Sequence, residues 1–469
     1  MVTLDEYTPS HRAELEELLS SAAWQEALAA GLVEQVRARR HEPGKTLDYI
    51  GTVVEQLVDL NRERVQALIG AGERDPESLA AHLGRWPAGL DGRDLKISFL
   101  GLNLTSECNF EPRCIYCNQP AVASAVDLDG WKRIIAEVTA VNQGSGPYIY
   151  ISGGEPLLLG EQVWGEDGLV AFASQRGAAV NVNTNAWFIT PEVALRLVQA
   201  GTSKLHISLD APDEEVQNEL LGGDRMQRVL RGIYNVQLAR DLVGVSHPEI
   251  HTNCVLTTRN LDLFPDLFRF ILQKRKQLTD RKHPLFQDLF PHVIPVGGRS
   301  NDHLRPSSAG FRRFYEEIWP EVCRIWAEYQ EQIAVPTENR GVLFGYFSNP
   351  FLRVEHEGGL EAYLETSAVG RYGSRALPHY CYVAPTQGSF TPDGLQYRCG
   401  SHAIRRILPI GQVGQGSFFD HTRDGVAGLE QLPSEDQCYG CALATLYINQ
   451  SVAKKLRERV GEMLTAAAA

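Results

Sequence analysis

From Leu95 to Pro306 the chain alternates short apolar runs with longer stretches of helical period, and nothing else in the sequence constrains the fold as tightly. The runs Leu95 to Leu104, Tyr148 to Ser152, Ala179 to Asn183, Lys204 to Ser208, Ile250 to Leu256 and His292 to Val296 predict six strands. Parallel strands need a crossover of a dozen or more residues, and a helical stretch of that kind lies between each pair. The expected class is therefore α/β: a partial (β/α)6 TIM-like barrel over residues 93–305, with its chemistry at the C-terminal ends of the strands.

Residues 1–92 form a helical N-terminal region by the same reasoning. Leu15, Leu18, Leu19, Ala22 and Trp24, then Tyr49, Val53, Leu57, Leu60 and Val65, recur at helical spacing. Glu42-Pro43-Gly44 marks a break between two helices, and Trp86-Pro87-Ala88-Gly89 an exit. After the barrel, residues 306–374 read as a helical and irregular connection, in which Phe314, Tyr315, Trp319 and Trp326 turn inward as core. Residues 375–469 change to short strands and turns. Pro392-Asp393-Gly394 signals a β-hairpin there, and Ala442 to Met463 a closing helix.

A formal net charge of -13 argues against a surface that grips nucleic acid through its phosphates, and it suits a cationic substrate. No apolar run approaches the ~20 residues of a membrane span. The start, Met1 to Tyr7, lacks the basic and apolar regions of an export signal, so the expected location is cytoplasmic. In a reducing compartment nine cysteines point to metal or redox chemistry rather than disulfides.

Three of those cysteines, Cys108, Cys114 and Cys117, fall in ten residues directly after the first expected strand. Three thiolates are one short of a closed zinc site or a fully ligated iron-sulfur cube, which leaves one coordination position for chemistry. At the end of the second strand comes Gly153-Gly154-Glu155-Pro156, where paired glycines permit close backbone approach and the following carboxylate is held beside them.

Together these two motifs resemble the radical S-adenosylmethionine (radical SAM) superfamily. Tyr116 supplies the aromatic residue before the last cysteine and the GGEP motif is complete, while the usual C-x3-C-x2-C spacing is here C-x5-C-x2-C. The resemblance implies that Cys108, Cys114 and Cys117 hold a 4Fe-4S cluster, and that Gly153, Gly154, Glu155 and Pro156 bind the amino group of SAM. Asn183-Thr184-Asn185 and Ser208-Leu209-Asp210 look like the family's TNG and SLD segments, with Ala186 in place of the glycine. By that likeness Asn183, Asn185, Ser208 and Asp210 contact the ribose or the methionine carboxylate. A rival reading makes Ser208 and Asp210 caps for the helix that begins near Asp213.

Cys381, Cys399, Cys438 and Cys441 make a second, complete ligand set with spacing C-x17-C-x38-C-x2-C, compatible with zinc or with iron and sulfur. They resemble the twitch domain, the short form of the SPASM extension of radical SAM enzymes, which implies one auxiliary 4Fe-4S cluster. Cys254 and Cys323 are expected to be small buried residues. Candidates for catalysis are Glu155, Arg225, His292 and Arg299, with Asn253 and His303 as further positions near strand ends; each also has a plain structural reading.

The implied activity is cleavage of SAM to a 5'-deoxyadenosyl radical that removes a substrate hydrogen atom, the electron coming from a flavodoxin- or ferredoxin-type reductant. Enzymes of this architecture suggest an amino sugar or aminocyclitol, dehydrated or oxidised in aminoglycoside antibiotic biosynthesis. A ribosomally made peptide is the alternative substrate. An iron-sulfur electron-transfer or scaffold protein is a third reading, disfavoured by the intact GGEP segment.

Overall fold

The computed structural model describes residues 20, 22–29, 49–87, 89–119, 121–142, 146–278, 288–296, 299–332, 334, 336–337, 354, 357–367, 380–438, 441 and 443–468. Leu15, Leu18, Leu19 and the Glu42-Pro43-Gly44 break lie outside the described residues.

Six strands form in the expected order: β1 Phe99–Asn103, β2 Tyr148–Ser152, β3 Ala179–Thr184, β4 Lys204–Ser208, β5 Glu249–Leu256 and β6 Asp288–Pro295. Each pairs in parallel with the next, so the α/β partial barrel is as expected. Alternation along the strands explains the layering. Leu100, Leu102, Ile149, Ile151, Val180, Val182, Leu205, Ile207 and Ile250 are fully buried in the core shared with the crossover helices. The other face carries Tyr148, Tyr150, Asn181, Asn183, His206 and His251, and faces the barrel interior.

Side-chain caps fix where the crossover helices start. Asp127, Thr190 and Asp213 accept hydrogen bonds from the first turns of Leu128–Val141, Pro191–Gln199 and Glu214–Leu221, each cap contributing about 1 kcal/mol.

The Pro392-Asp393-Gly394 hairpin is present between β7 Gln387–Phe390 and β8 Leu395–Tyr397, with Gly394 at φ 83°. It extends the barrel's sheet. β7 pairs in parallel with β1, and a short β9, Gly411–Gln412, follows β8, giving nine strands among the described residues. At the far side the helices Tyr49–Gly70 and Pro76–Leu83 pack on the closing helix Leu443–Ala468, burying Val53, Leu57 and Leu83 with Val452, Leu456 and Val460. Trp86 ties this layer to the hairpin end by donating from Nε1 to the Tyr382 carbonyl at 2.9 Å.

Four local expectations need correction. β1 starts at Phe99 rather than Leu95, because Asp91 caps a 3-10 turn at Gly92–Asp94 and Leu95 closes it. β6 begins four residues before His292. The closing helix runs on to Ala468, since alanine favours helix. Cys254 is buried, but Cys323 is exposed on the outer side of the helix Trp319–Gln332. No described helix is long and apolar enough to cross a membrane.

Candidate active site

The cysteine loop leaves β1 and is tied down along its whole length. Glu107 N bonds Thr105 Oγ1 at 3.0 Å, Arg113 Nη2 reaches the Ser106 carbonyl at 2.8 Å, Ile115 N the Leu220 carbonyl at 3.0 Å, and Cys117 N the Cys114 carbonyl at 3.0 Å. The two extra residues of its first interval have a visible use. Phe110 is 1% exposed, edge-on to Trp187 with centroids 5.9 Å apart, and covered by the Arg225 guanidinium at 3.9 Å. The lengthened loop thus buries an aromatic anchor behind the cysteines. Arg225, a catalytic candidate from sequence, is 7% exposed and also donates to the Leu221 carbonyl, so its place is behind the loop.

The two glycines of the Gly153-Gly154 pair admit backbone. A Cβ on Gly153, at φ 146°, would stand 2.3 Å from the Thr105 carbonyl oxygen, and one on Gly154 2.1 Å from that of Glu107. Gly154 N and Glu155 N use that closeness to bond the same two carbonyls at 2.7 and 2.8 Å. The pair therefore welds the end of β2 to the cysteine loop.

Glu155 is the hub that follows. Its side chain is fully buried and accepts from Leu157 N at 2.9 Å, Thr184 Oγ1 at 2.8 Å and Asn185 N at 2.7 Å. Burial pushes its carboxyl up to about 7 against those three donors. Pro156 opens the 3-10 turn Pro156–Leu159, which Glu155 caps. Asn185 joins this carboxylate to the cysteines: its Nδ2 donates to Asn109 Oδ1 at 2.9 Å and lies 3.8 Å from Cys108 Sγ. Ala186, where the family pattern has glycine, adopts φ 60°.

Asp210 is the second buried carboxylate. Its Oδ2 accepts from Tyr116 Oη at 2.7 Å and its Oδ1 from Val255 N at 2.7 Å, while burial raises it to about 6. It does not cap the following helix; that cap is Asp213. Ser208 ends β4 on the interior face, opposite Asn253 in register. Asn183 accepts from Asn253 Nδ2 at 2.9 Å. His292 pairs in register with Asn253, and its side chain and that of Arg299 lie outside the described residues; His303 is exposed.

The thiols themselves are close enough to repel as anions. Burial first, then Asp210, Cys117 and Cys108, push Cys114 up to about 12, and burial also raises Cys108. Left to themselves such thiols stay protonated, and a resident cation is what turns them into thiolate ligands. Among the described residues no three acidic, histidine or cysteine side chains converge on one point as ligands of a single ion do. Ligands of a cube stand farther apart, each on its own iron, and a three-thiol loop of this kind fits that group.

Cys381, Cys399 and Cys438 form the second gathering, at the hairpin end. Burial, with Cys399 and Cys438 adding to it, pushes Cys381 up to about 12. Cys399 is the first residue of the turn into the helix Gly400–Arg405, and Cys441 N bonds the Cys438 carbonyl at 3.2 Å. Two arginines that the sequence reading passed over stand beside them. Arg398 donates twice to the Gly425 carbonyl, at 3.0 and 2.8 Å, with Cys381, Cys399 and Cys438 as its charged neighbours; Arg405 faces Cys399 and Cys438. Their place directly before and six residues after Cys399 was the available signal.

Residues 102–281 match the model of the Radical SAM superfamily. The chain therefore carries a Radical SAM superfamily domain, and such a domain works with SAM and a 4Fe-4S cluster. Similar curated proteins are a GTP 3',8-cyclase of Pseudomonas putida (strain W619), 28% identical over 200 residues (40% of this chain, 54% of that protein), and an AdoMet-dependent heme synthase of Methanosarcina barkeri (strain Fusaro / DSM 804), 28% identical over 210 residues (44% and 53%). The chain spans about half the length of these relatives. Among solved structures it is similar to native anSMEcpe with bound AdoMet, at 16% identity and a TM-score of 0.49, covering 79% of this chain and 99% of that one.

Proposed function

We propose that this protein is a radical SAM enzyme with an auxiliary 4Fe-4S cluster, and that it dehydrates or oxidises an amino sugar or aminocyclitol. The observation that carries the first part is the physical union of the cysteine loop with the GGEP segment. Glu155, Asn185 and Cys108 form one hydrogen-bonded chain, so a carboxylate for an ammonium group is held at a fixed place beside the thiols. Bound together, cluster and SAM supply a carbon radical able to take a hydrogen atom from an unactivated carbon.

The protein's own part is positional. Cys108, Cys114 and Cys117 hold the cluster, Glu155 receives the amino group of SAM, and the Tyr116–Asp210 pair closes the wall beside Cys117. Phe110, Trp187 and Arg225 seal the back of the loop against water. Cys381, Cys399, Cys438 and Cys441 hold the auxiliary cluster. The acidic balance of the chain supports a basic substrate over an anionic one.

Anaerobic reconstitution tests the reading. About eight irons per chain are expected from two cubes, and dithionite with SAM should yield 5'-deoxyadenosine. Four irons with one zinc would remove the auxiliary cluster, and no 5'-deoxyadenosine with any reductant would remove the enzyme.

A further inference from the structure

Asn109, the residue after Cys108, is half-buried against Asn185, just beyond the end of β3. The orientation of the two carboxamides follows from what their partners can do. A backbone N–H only donates, so the Asn185 atom 3.0 Å from Trp187 N is Oδ1. Its Nδ2 is then the atom 2.9 Å from Asn109, which must present Oδ1 to accept. Turning either amide over would set like atoms against each other, so the contacts themselves fix both assignments.

Trp187 is tied down in its turn. Its carbonyl accepts from Arg228 Nε at 2.8 Å, and its ring packs edge-on against Phe110. Asn185 therefore has a firm support on one side and Asn109 on the other. Between them it reaches both halves of the site: its N donates to Glu155 Oε2 at 2.7 Å, and its Nδ2 lies 3.8 Å from Cys108 Sγ. Thr184 completes the turn, donating from Oγ1 to Glu155 Oε1 at 2.8 Å and accepting from Ala186 N at 3.0 Å.

Asn185 is 8% exposed, so its Nδ2 depends on Asn109 rather than on water for an oxygen partner. A buried donor that loses its acceptor costs more than the bond contributed, and the group re-orients to recover one. Re-orientation here would carry with it the Asn185 N–H that holds Glu155.

We propose that Asn109 is a positioning residue: by accepting from Asn185 Nδ2 it fixes that carboxamide, and through it the spacing between the Glu155 carboxylate and Cys108. Asn109 thus sets where the ammonium group of SAM lies relative to the cluster without touching SAM itself. This inference deepens the function proposed above and rests on its SAM site, and it is independent of the substrate.

The test is calorimetric binding of SAM to the anaerobically reconstituted protein, with iron content and thermal unfolding measured on the same samples. Asn109→Ala and Asn109→Asp are compared with Glu111→Gln, a change at an exposed position of the same loop. Asn109→Ala removes the acceptor, and the dissociation constant for SAM should rise about tenfold with iron content unchanged. Asn109→Asp keeps an acceptor in the same place and should bring SAM affinity back to within about threefold of the wild type, while Glu111→Gln should bind SAM as the wild type does.

A SAM affinity unchanged in Asn109→Ala would overturn the proposal even if that variant unfolds at a lower temperature, because the pair would then be purely structural. An Asn109→Asp variant no better than Asn109→Ala would overturn it as well, since the acceptor would not be what matters. Loss of iron from Asn109→Ala would show that the residue holds the cluster rather than the spacing, and would also overturn it. Each of these leaves the proposed function standing. A wild type that carries its iron and binds no SAM would overturn the proposed function and this inference together.

Discussion

Around Cys108, Cys114 and Cys117 two buried carboxylates, Glu155 and Asp210, stand among the charged neighbours together with Arg113 and Arg225, whereas the arginines Arg398 and Arg405 stand beside Cys381, Cys399 and Cys438. The contrast is what the two proposed roles require. A four-thiolate cube carries one more negative charge than a three-thiolate cube, and nearby guanidiniums offset it. At the front the compensating charge is expected from the ligand, since SAM brings a sulfonium and an ammonium group. Carboxylates there are a disadvantage to the empty site and an advantage to the loaded one.

The largest effect expected from this contrast is in Cys114→Ala against Cys399→Ala. The first should reduce 5'-deoxyadenosine to background, while the second should retain SAM cleavage and lose product. Equal product from both would end the division of roles.

Next is the pH dependence of the cluster-free protein. The Glu155 carboxyl is raised from 4.5 to about 7 in the fold, so the native state holds its proton where the unfolded chain releases it. Its contribution is fully present below pH 4.5 and is lost as pH rises through 7, a difference of about 3 kcal/mol. Urea unfolding at acid and alkaline pH should show the loss, and Glu155→Gln should remove its own share while leaving that of Asp210, which burial raises from 3.8 to about 6. A Glu155→Gln profile as steep as the wild type would assign the slope to other groups.

Smaller again is Arg398→Gln. Removing a cation beside the rear thiols should lower the midpoint potential of that cluster by on the order of tens of millivolts and leave the front one in place. Redox titration followed by electron paramagnetic resonance separates the two. The smallest effect belongs to the Asp393–Arg406 pair at the hairpin tip, 2.6 Å apart and partly exposed. Asp393→Asn should cost less than about 1 kcal/mol in thermal unfolding, with iron content unchanged. A loss of iron there would show that the tip governs the rear site.

Much of the fold was legible because period-two apolar runs separated by helical stretches leave few alternatives to parallel βα units; β2 and β4 match to the residue. The pairing of β7 with β1 was not legible, since hairpin signals specify a local turn and carry no information on which distant edge the hairpin joins. The same limit applies at the site. Gly153 and Gly154 could be read as making room, but only coordinates show that the room is filled by Thr105 and Glu107. Asp210 had two sequence readings, and the cap at Asp213 removes one of them, the helix cap. Arg398 escaped notice since an arginine next to a cysteine is common in sequence; its meaning comes from three thiols gathered from separate segments.

Electron paramagnetic resonance of the dithionite-reduced protein, with and without SAM, tests the central claim most directly. SAM should change the spectrum of the Cys399→Ala variant, whose remaining signal comes from the front loop, and leave the spectrum of a Cys108→Ala, Cys114→Ala, Cys117→Ala triple variant unchanged. A SAM-dependent spectrum in the triple variant would place the SAM site at the rear cysteines and contradict the account.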